Sequence, residues 1–86
     1  MTRVFNKEVF VTSYYFTQGK GFHSFPRSVQ FENQELTFIE TGLRCLVQKG
    51  QDLIEIFNMS DGRTQYRLKF EPQQRSWTLL TSRAMV

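Results

Sequence analysis

Turn-forming pairs constrain this chain more than any other feature. Downstream of Val29, short apolar-rich runs are interrupted by Asn33-Gln34, Thr41-Gly42, Lys49-Gly50, Asp61-Gly62 and Glu71-Pro72-Gln73-Gln74. That punctuation predicts an all-β antiparallel meander. Asp61-Gly62 is the strongest hairpin signal, because a type I′ turn needs positive φ at both central positions. Pro72 has no N–H to give to a ladder, so it belongs in a loop.

These turns define a testable register. A loop at Asn33-Gln34 sets Phe31 against Leu36 and Val29 against Phe38. A hairpin at Thr41-Gly42 sets Phe38 against Cys45 and Leu36 against Val47. Lys49-Gly50 places Arg44 opposite Glu55 and Leu46 opposite Leu53. Asp61-Gly62 sets Phe57 against Tyr66, and the last loop brings Leu68 to Trp77 and Tyr66 to Leu79. One face is then apolar through Val29, Phe31, Leu36, Phe38, Cys45, Val47, Ile54 and Ile56, but continues into Arg67 and Lys69. The opposite face is apolar through Leu46, Leu53, Phe57, Tyr66, Leu68, Trp77 and Leu79. A closed barrel has one interior face throughout, so either a bulge shifts the register or the middle strands are covered on both sides.

The segment from Glu8 to Thr17 is dense in β-branched and aromatic residues and reads as a strand. An amphipathic helix is the alternative, because Phe10 and Tyr14 are four residues apart. The expected fold is therefore a six- or seven-stranded antiparallel meander, a curled sheet or small open barrel. The alternative is α+β, with an N-terminal helix packed on the sheet.

A chain of 86 residues makes one small domain, with stability on the order of 5 kcal/mol. Nine Phe, three Tyr and one Trp supply its large apolar side chains. The single cysteine, Cys45, cannot staple the fold internally and reads as a buried structural thiol. The first residues have no apolar leader segment, and no run approaches the roughly 18–20 apolar residues needed to cross a bilayer. A cytoplasmic protein with no membrane partner is expected. The net charge is +3 and unevenly spread: the middle third is acidic and the two ends are basic.

Gly19 to Arg27 is the most suggestive stretch. Lys20, His23 and Arg27 alternate with Phe22 and Phe25 near two glycines, a mixture suited to phosphates and unpaired bases. Lys20-Gly21-Phe22, with Phe16 four residues before, resembles a fragment of the aromatic motif of cold-shock domains, and the RNA-recognition-motif signature begins similarly. His23 stands where those motifs carry a small residue and Ser24 where they carry an aromatic. The nearest second aromatic run, Val9-Phe10-Val11, precedes the motif instead of following it. The family is not assigned on these few residues.

His23, the only histidine, has no nucleophile, carboxylate or further metal ligand at a diagnostic spacing. Asp61 is accounted for by its turn and Glu55 by pairing with Arg44. In Gln65-Tyr66-Arg67-Leu68-Lys69-Phe70, strict alternation puts Arg67 and Lys69 beside Ile54 and Ile56, an amphiphilic patch suited to docking. The sequence therefore points to a non-enzymatic module without cofactor, metal or small-molecule substrate. Its expected partner is a protein, a second copy of the chain included, through Ile54, Ile56, Arg67 and Lys69. The other reading is single-stranded nucleic acid, through Lys20, Phe22, His23, Phe25 and Arg27.

Overall fold

The computed structural model describes residues 2–17 and 23–85, and of Thr17, His23, Thr41 and Leu43 the backbone only. Every regular element among them is a strand: β1 (Thr2–Thr17), β2 (His23–Phe31), β3 (Gln34–Thr37), β4 (Glu40–Lys49), β5 (Asp52–Ser60), β6 (Thr64–Glu71) and β7 (Ser76–Ala84). They form one seven-stranded antiparallel sheet in the order β3-β2-β1-β7-β6-β5-β4, curled but not closed into a barrel. The segment from Glu8 to Thr17 is strand, as its β-branched and aromatic content predicts, and no N-terminal helix forms.

β1 is long enough to serve two partners. Its first half, Thr2 to Val9, pairs with β7, and its second half, Phe10 to Thr17, pairs with β2. Irregularities between Val4 and Lys7, and from Val11 to Tyr14, let it twist from one partner to the other. Asn6 takes the positive φ, 52°, at the first of these, a conformation asparagine tolerates better than most residues.

The hairpin expected at Thr41-Gly42 does not form. The chain passes from β3 to β4 through only Phe38 and Ile39, and β3 does not pair with β4. The antiparallel ladders require both strands to run in the same sense along the sheet, so this junction is a corner and not a reversal. Phe38 N–H donates to the Arg27 carbonyl at 2.7 Å, and Ile39 N–H to the Ser60 carbonyl at 2.8 Å. Gly42 lies inside β4, where the register with β5 shifts between Thr41 and Arg44. A Cβ there would sit 3.0 Å from the Asn58 carbonyl oxygen, so this glycine permits a close backbone approach and not a turn.

At the remaining hairpins each loop centre lies one residue from its expected position. Phe31 opposes Gln34, Leu46 opposes Glu55, Phe57 opposes Leu68 and Phe70 opposes Trp77. Moving a loop centre by one residue shifts the pairing by two, which keeps the side chains next to the turns on their predicted faces. Further from the turns the register slips by one, between Thr41 and Arg44 of β4 and between Arg67 and Leu68 of β6, so Tyr66 stands opposite Ser82 and not Leu79. The turns explain the displacement. Positive φ falls on Glu32 (56°) and on Gly50 (64°), while Asn33 and Gln51 stay negative. Gly50 is thus the first central residue of a type II′ turn. Asp61 begins a wider loop, with its Oδ1 accepting from the Arg63 and Thr64 amides, each at 2.8 Å.

Val9, Val29, Phe31, Phe38, Phe57, Met59, Leu68 and Leu79 form the buried core. Trp77 is half-buried, opposite Phe70 and Val9 and not Leu68, with its ring 4.7 Å from Phe70 and 5.2 Å from Phe57. The N-terminal strand and the corner at Phe38 bring the two ends of the sheet over this core. The corner brings Val29, Phe31 and Phe38 into one core with Phe57, Leu68 and Leu79, while Cys45, Val47, Ile54 and Ile56 stay on the opposite, outward face.

Candidate interaction surface

β4 and β5 pair as far as Lys49 and Asp52, but β6 pairs with β5 only from Glu55 to Ser60. The end of the β4–β5 hairpin, from Val47 to Ile54, therefore extends as an arm past the last β6 rung, with the Glu71–Gln74 loop beside Asp52, Leu53 and Ile54. β4 is an edge strand, and apolar residues are exposed on both faces from the last β6 rung outward: Leu46 is 59% exposed, Val47 45% and Leu53 46%. Cys45, expected to be buried, is exposed on the edge strand, at the rung it shares with Ile56 and Lys69.

On one face the ladder aligns Val47 with Ile54, then Cys45 with Ile56, Lys69 and Thr78, then Asn58 with Arg67 and Thr81. The four residues named for protein docking, Ile54, Ile56, Arg67 and Lys69, thus lie together on one face. Ile54 and Ile56 are half-buried and Arg67 is exposed. Arg67 Nε donates to Asn58 Oδ1 at 3.2 Å, and Lys69 pairs with Glu71 at 3.0 Å. Arg67 and Arg83 border a shallow depression of about 220 Å³ with Thr2, Asn58 and Thr81. On the other face Arg44 pairs with Glu55, as expected, but diagonally, since Arg44 stands opposite Phe57. Its guanidinium lies 5.5 Å from the Phe57 ring centre.

The residues named for nucleic acid are less gathered. Lys20 and Phe22 lie outside the described residues, and His23 opens β2. Phe25 is half-buried, with its ring edge-on to Phe57 at 6.1 Å. The Arg27 guanidinium lies 5.6 Å from the Tyr15 ring centre. Sequence reasoning missed a second aromatic group. Tyr14 and Phe16 line a groove of about 430 Å³ with Phe57, Phe70 and Trp77, crossed by the Arg44–Glu55 pair. An adjoining groove of about 580 Å³ adds Phe10, whose ring is 70% exposed, with Pro72 and Arg75. The strand character of residues 8–17 was the signal that alternate rings would stand outward.

Two groups depart from their ordinary titration. Partial burial pushes the Asp61 carboxyl up, but the Arg63 and Thr64 amides and the Tyr66 hydroxyl together hold it below the usual value. Burial, with the charge of Asp61, pushes the Tyr66 phenol up. Both belong to the β5–β6 turn. Among the described residues no group of three or more His, Cys, Asp or Glu is placed to hold a metal, and no helix is long and apolar enough to cross a membrane.

Comparison with protein-family models, with curated proteins and with solved structures finds no match.

Proposed function

We propose that this chain is a non-enzymatic protein-interaction module that docks through the outward face of β4, β5 and β6. The observation that carries this reading is the alignment of Ile54, Ile56, Arg67 and Lys69 on one face, continuous with the exposed Val47 and Cys45 of β4. An apolar strip that the fold does not use, edged by cations, is the composition of a docking site. The isoleucines supply apolar area, while Arg67 and Lys69 steer an acidic partner surface and contribute little affinity at the rim. The reading places the protein in the cytoplasm, where the Cys45 thiol stays reduced. The test is capture from nuclease-treated extract by wild type and by Ile56→Glu. A partner held by wild type and lost by the variant supports the proposal. An unchanged set of captured proteins contradicts it.

Single-stranded nucleic acid is the second reading, favoured by the exposed rings of Phe10 and Tyr14 beside the two adjoining grooves. It uses Lys20, Phe22, His23, Phe25 and Arg27 together with those rings. Base stacking is worth roughly 1–3 kcal/mol per ring, and phosphate contacts make binding steeply salt-dependent. Failure of mixed single-stranded oligonucleotides to bind in low salt removes this reading.

A further inference from the structure

The arm has an edge as well as faces, and the edge is self-complementary. The type II′ turn at Gly50-Gln51 makes Lys49 and Asp52 a hydrogen-bonded pair. Pairs alternate along an antiparallel ladder, so Val47 with Ile54 and Cys45 with Ile56 are hydrogen-bonded too. Leu46 and Gln48 lie between them, and their N–H and C=O groups point away from β5, out of the sheet. Edge strands are ordinarily blunted by proline, bulges or charged side chains. Cys45-Leu46-Val47-Gln48 has none of these, and the β4 bulge is already past at Arg44.

We propose that two copies of this chain join along β4, antiparallel across a two-fold axis, with Leu46 of each copy opposite Leu46 of the other. The inference rests on reading the arm as a docking element and names a partner for its edge. Three observations select a second copy. Outward-pointing residues must oppose one another, so Arg44 and Lys49, one of each class, never stand directly opposite and their like charges are kept apart. With Leu46 on the axis, Cys45 faces Val47 of the second copy, and Gln48 faces its Arg44, so apolar and polar groups match. The same register carries Lys49 past Leu43 of the second copy toward its Glu40, a charge-complementary end to the ladder. The contact is isologous and closes on itself, whereas joining β4 to the four-residue edge strand β3 would be head-to-tail. So short a ladder falls below the standard interface class of about 1,200–2,000 Å², and the dimer is correspondingly weak and concentration-dependent.

Sedimentation equilibrium of the whole chain, from low micromolar to about 1 mM, reads the association. Wild type should pass from monomer to dimer. Leu46→Pro, which removes an N–H that β5 does not use, should stay monomeric and folded, because proline is tolerated at such edge positions. A wild type that remains monomeric throughout, or a folded Leu46→Pro variant that still dimerises, overturns the proposal. Should Leu46→Pro fail to fold, mild oxidation decides. Val47→Cys places a thiol opposite Cys45 of the second copy and should give covalent dimer. The same variant with Cys45→Ser should not. Equal crosslinking of the two, or none in either, overturns the register and the proposal with it. Failure here leaves the capture comparison with Ile56→Glu unaffected, so the two readings fail separately.

Discussion

Phe38 and Ile39 are neighbours in the chain, yet their amides bind opposite ends of the sheet, one on Arg27 of β2 and the other on Ser60 of β5. Phe38 is fully buried, with its ring 5.5 Å from that of Tyr66 and its carbonyl accepting the Tyr15 hydroxyl at 2.9 Å. Ile39 is 61% exposed. One dipeptide therefore turns the corner and plugs the core. Phe38→Ala should cost about 3–5 kcal/mol, comparable with the whole stability of a domain this small. Ile39→Ser should cost less than about 1 kcal/mol. Urea titration of the two variants checks the contrast.

The two glycines of β4 and its turn answer to different physics. Gly42→Ala meets the Asn58 carbonyl at 3.0 Å and should lose about 1–3 kcal/mol through a forced backbone shift. Gly50→Ala meets nothing within 4 Å, but its φ of +64° disfavours any side chain, at about 1–2 kcal/mol. Gly50→Asn should recover part of that loss, because asparagine tolerates the conformation. Gly42→Asn should recover none. Thermal melts of the four variants separate crowding from backbone conformation.

The β5–β6 turn gives the protein two pH limits. Asp61 titrates below its ordinary value in the folded chain. Its contribution is present above the unfolded pKa, near 3.9, and is lost as pH falls through the lower folded value. Tyr66 titrates above its ordinary value, so its contribution is complete below pH ~10 and is lost as pH rises through the folded value. Asp61→Asn, which keeps an oxygen for the Arg63 and Thr64 amides, should flatten the acid limb below pH 4. Tyr66→Phe should flatten the alkaline limb above pH 10. Urea midpoints across pH 2–5 and pH 9–11 check both signs.

Trp77 sits among Phe57, Phe70 and Val9 at the mouth of the aromatic groove. Because it is half-buried, Trp77→Ala should cost about 3 kcal/mol, the lower end for a large ring. Trp77→Phe should recover more than half of that. A near-wild-type melt for Trp77→Ala would show the ring to be peripheral.

The hydrophobic alternation of this chain made the faces legible. Phe57, Leu68 and Leu79 were grouped from sequence, and they pack together as neighbours in the core. Parity survives next to the turns because burying one face penalises an odd-numbered slip, and it is lost only past the bulges at Thr41–Arg44 and Arg67–Leu68. The loop centres were less legible, since positive φ falls on Glu32, outside the expected Asn33-Gln34 pair, and on Gly50 as the first central residue and not the second. Gly42 was misread because a glycine that admits a neighbouring carbonyl and one that permits a turn look alike in sequence. The same error hid the corner at Phe38 and with it the exposure of Cys45. Ile54, Ile56, Arg67 and Lys69 were grouped because they share strand parity. The projecting arm was not foreseen, since its bareness depends on where β6 stops pairing.

The account turns on β4 being an open edge in the isolated chain. Amide hydrogen exchange, resolved by residue in dilute protein where the chain is monomeric, tests that most directly. The account predicts slow exchange at Phe57, Leu68 and Leu79. It predicts faster exchange at Leu46 and Gln48 than at the alternating positions Cys45 and Val47, whose amides bond to β5. Protection of Leu46 and Gln48 equal to that of Cys45 and Val47 in dilute solution would contradict it, because the edge would then already be covered by the chain itself.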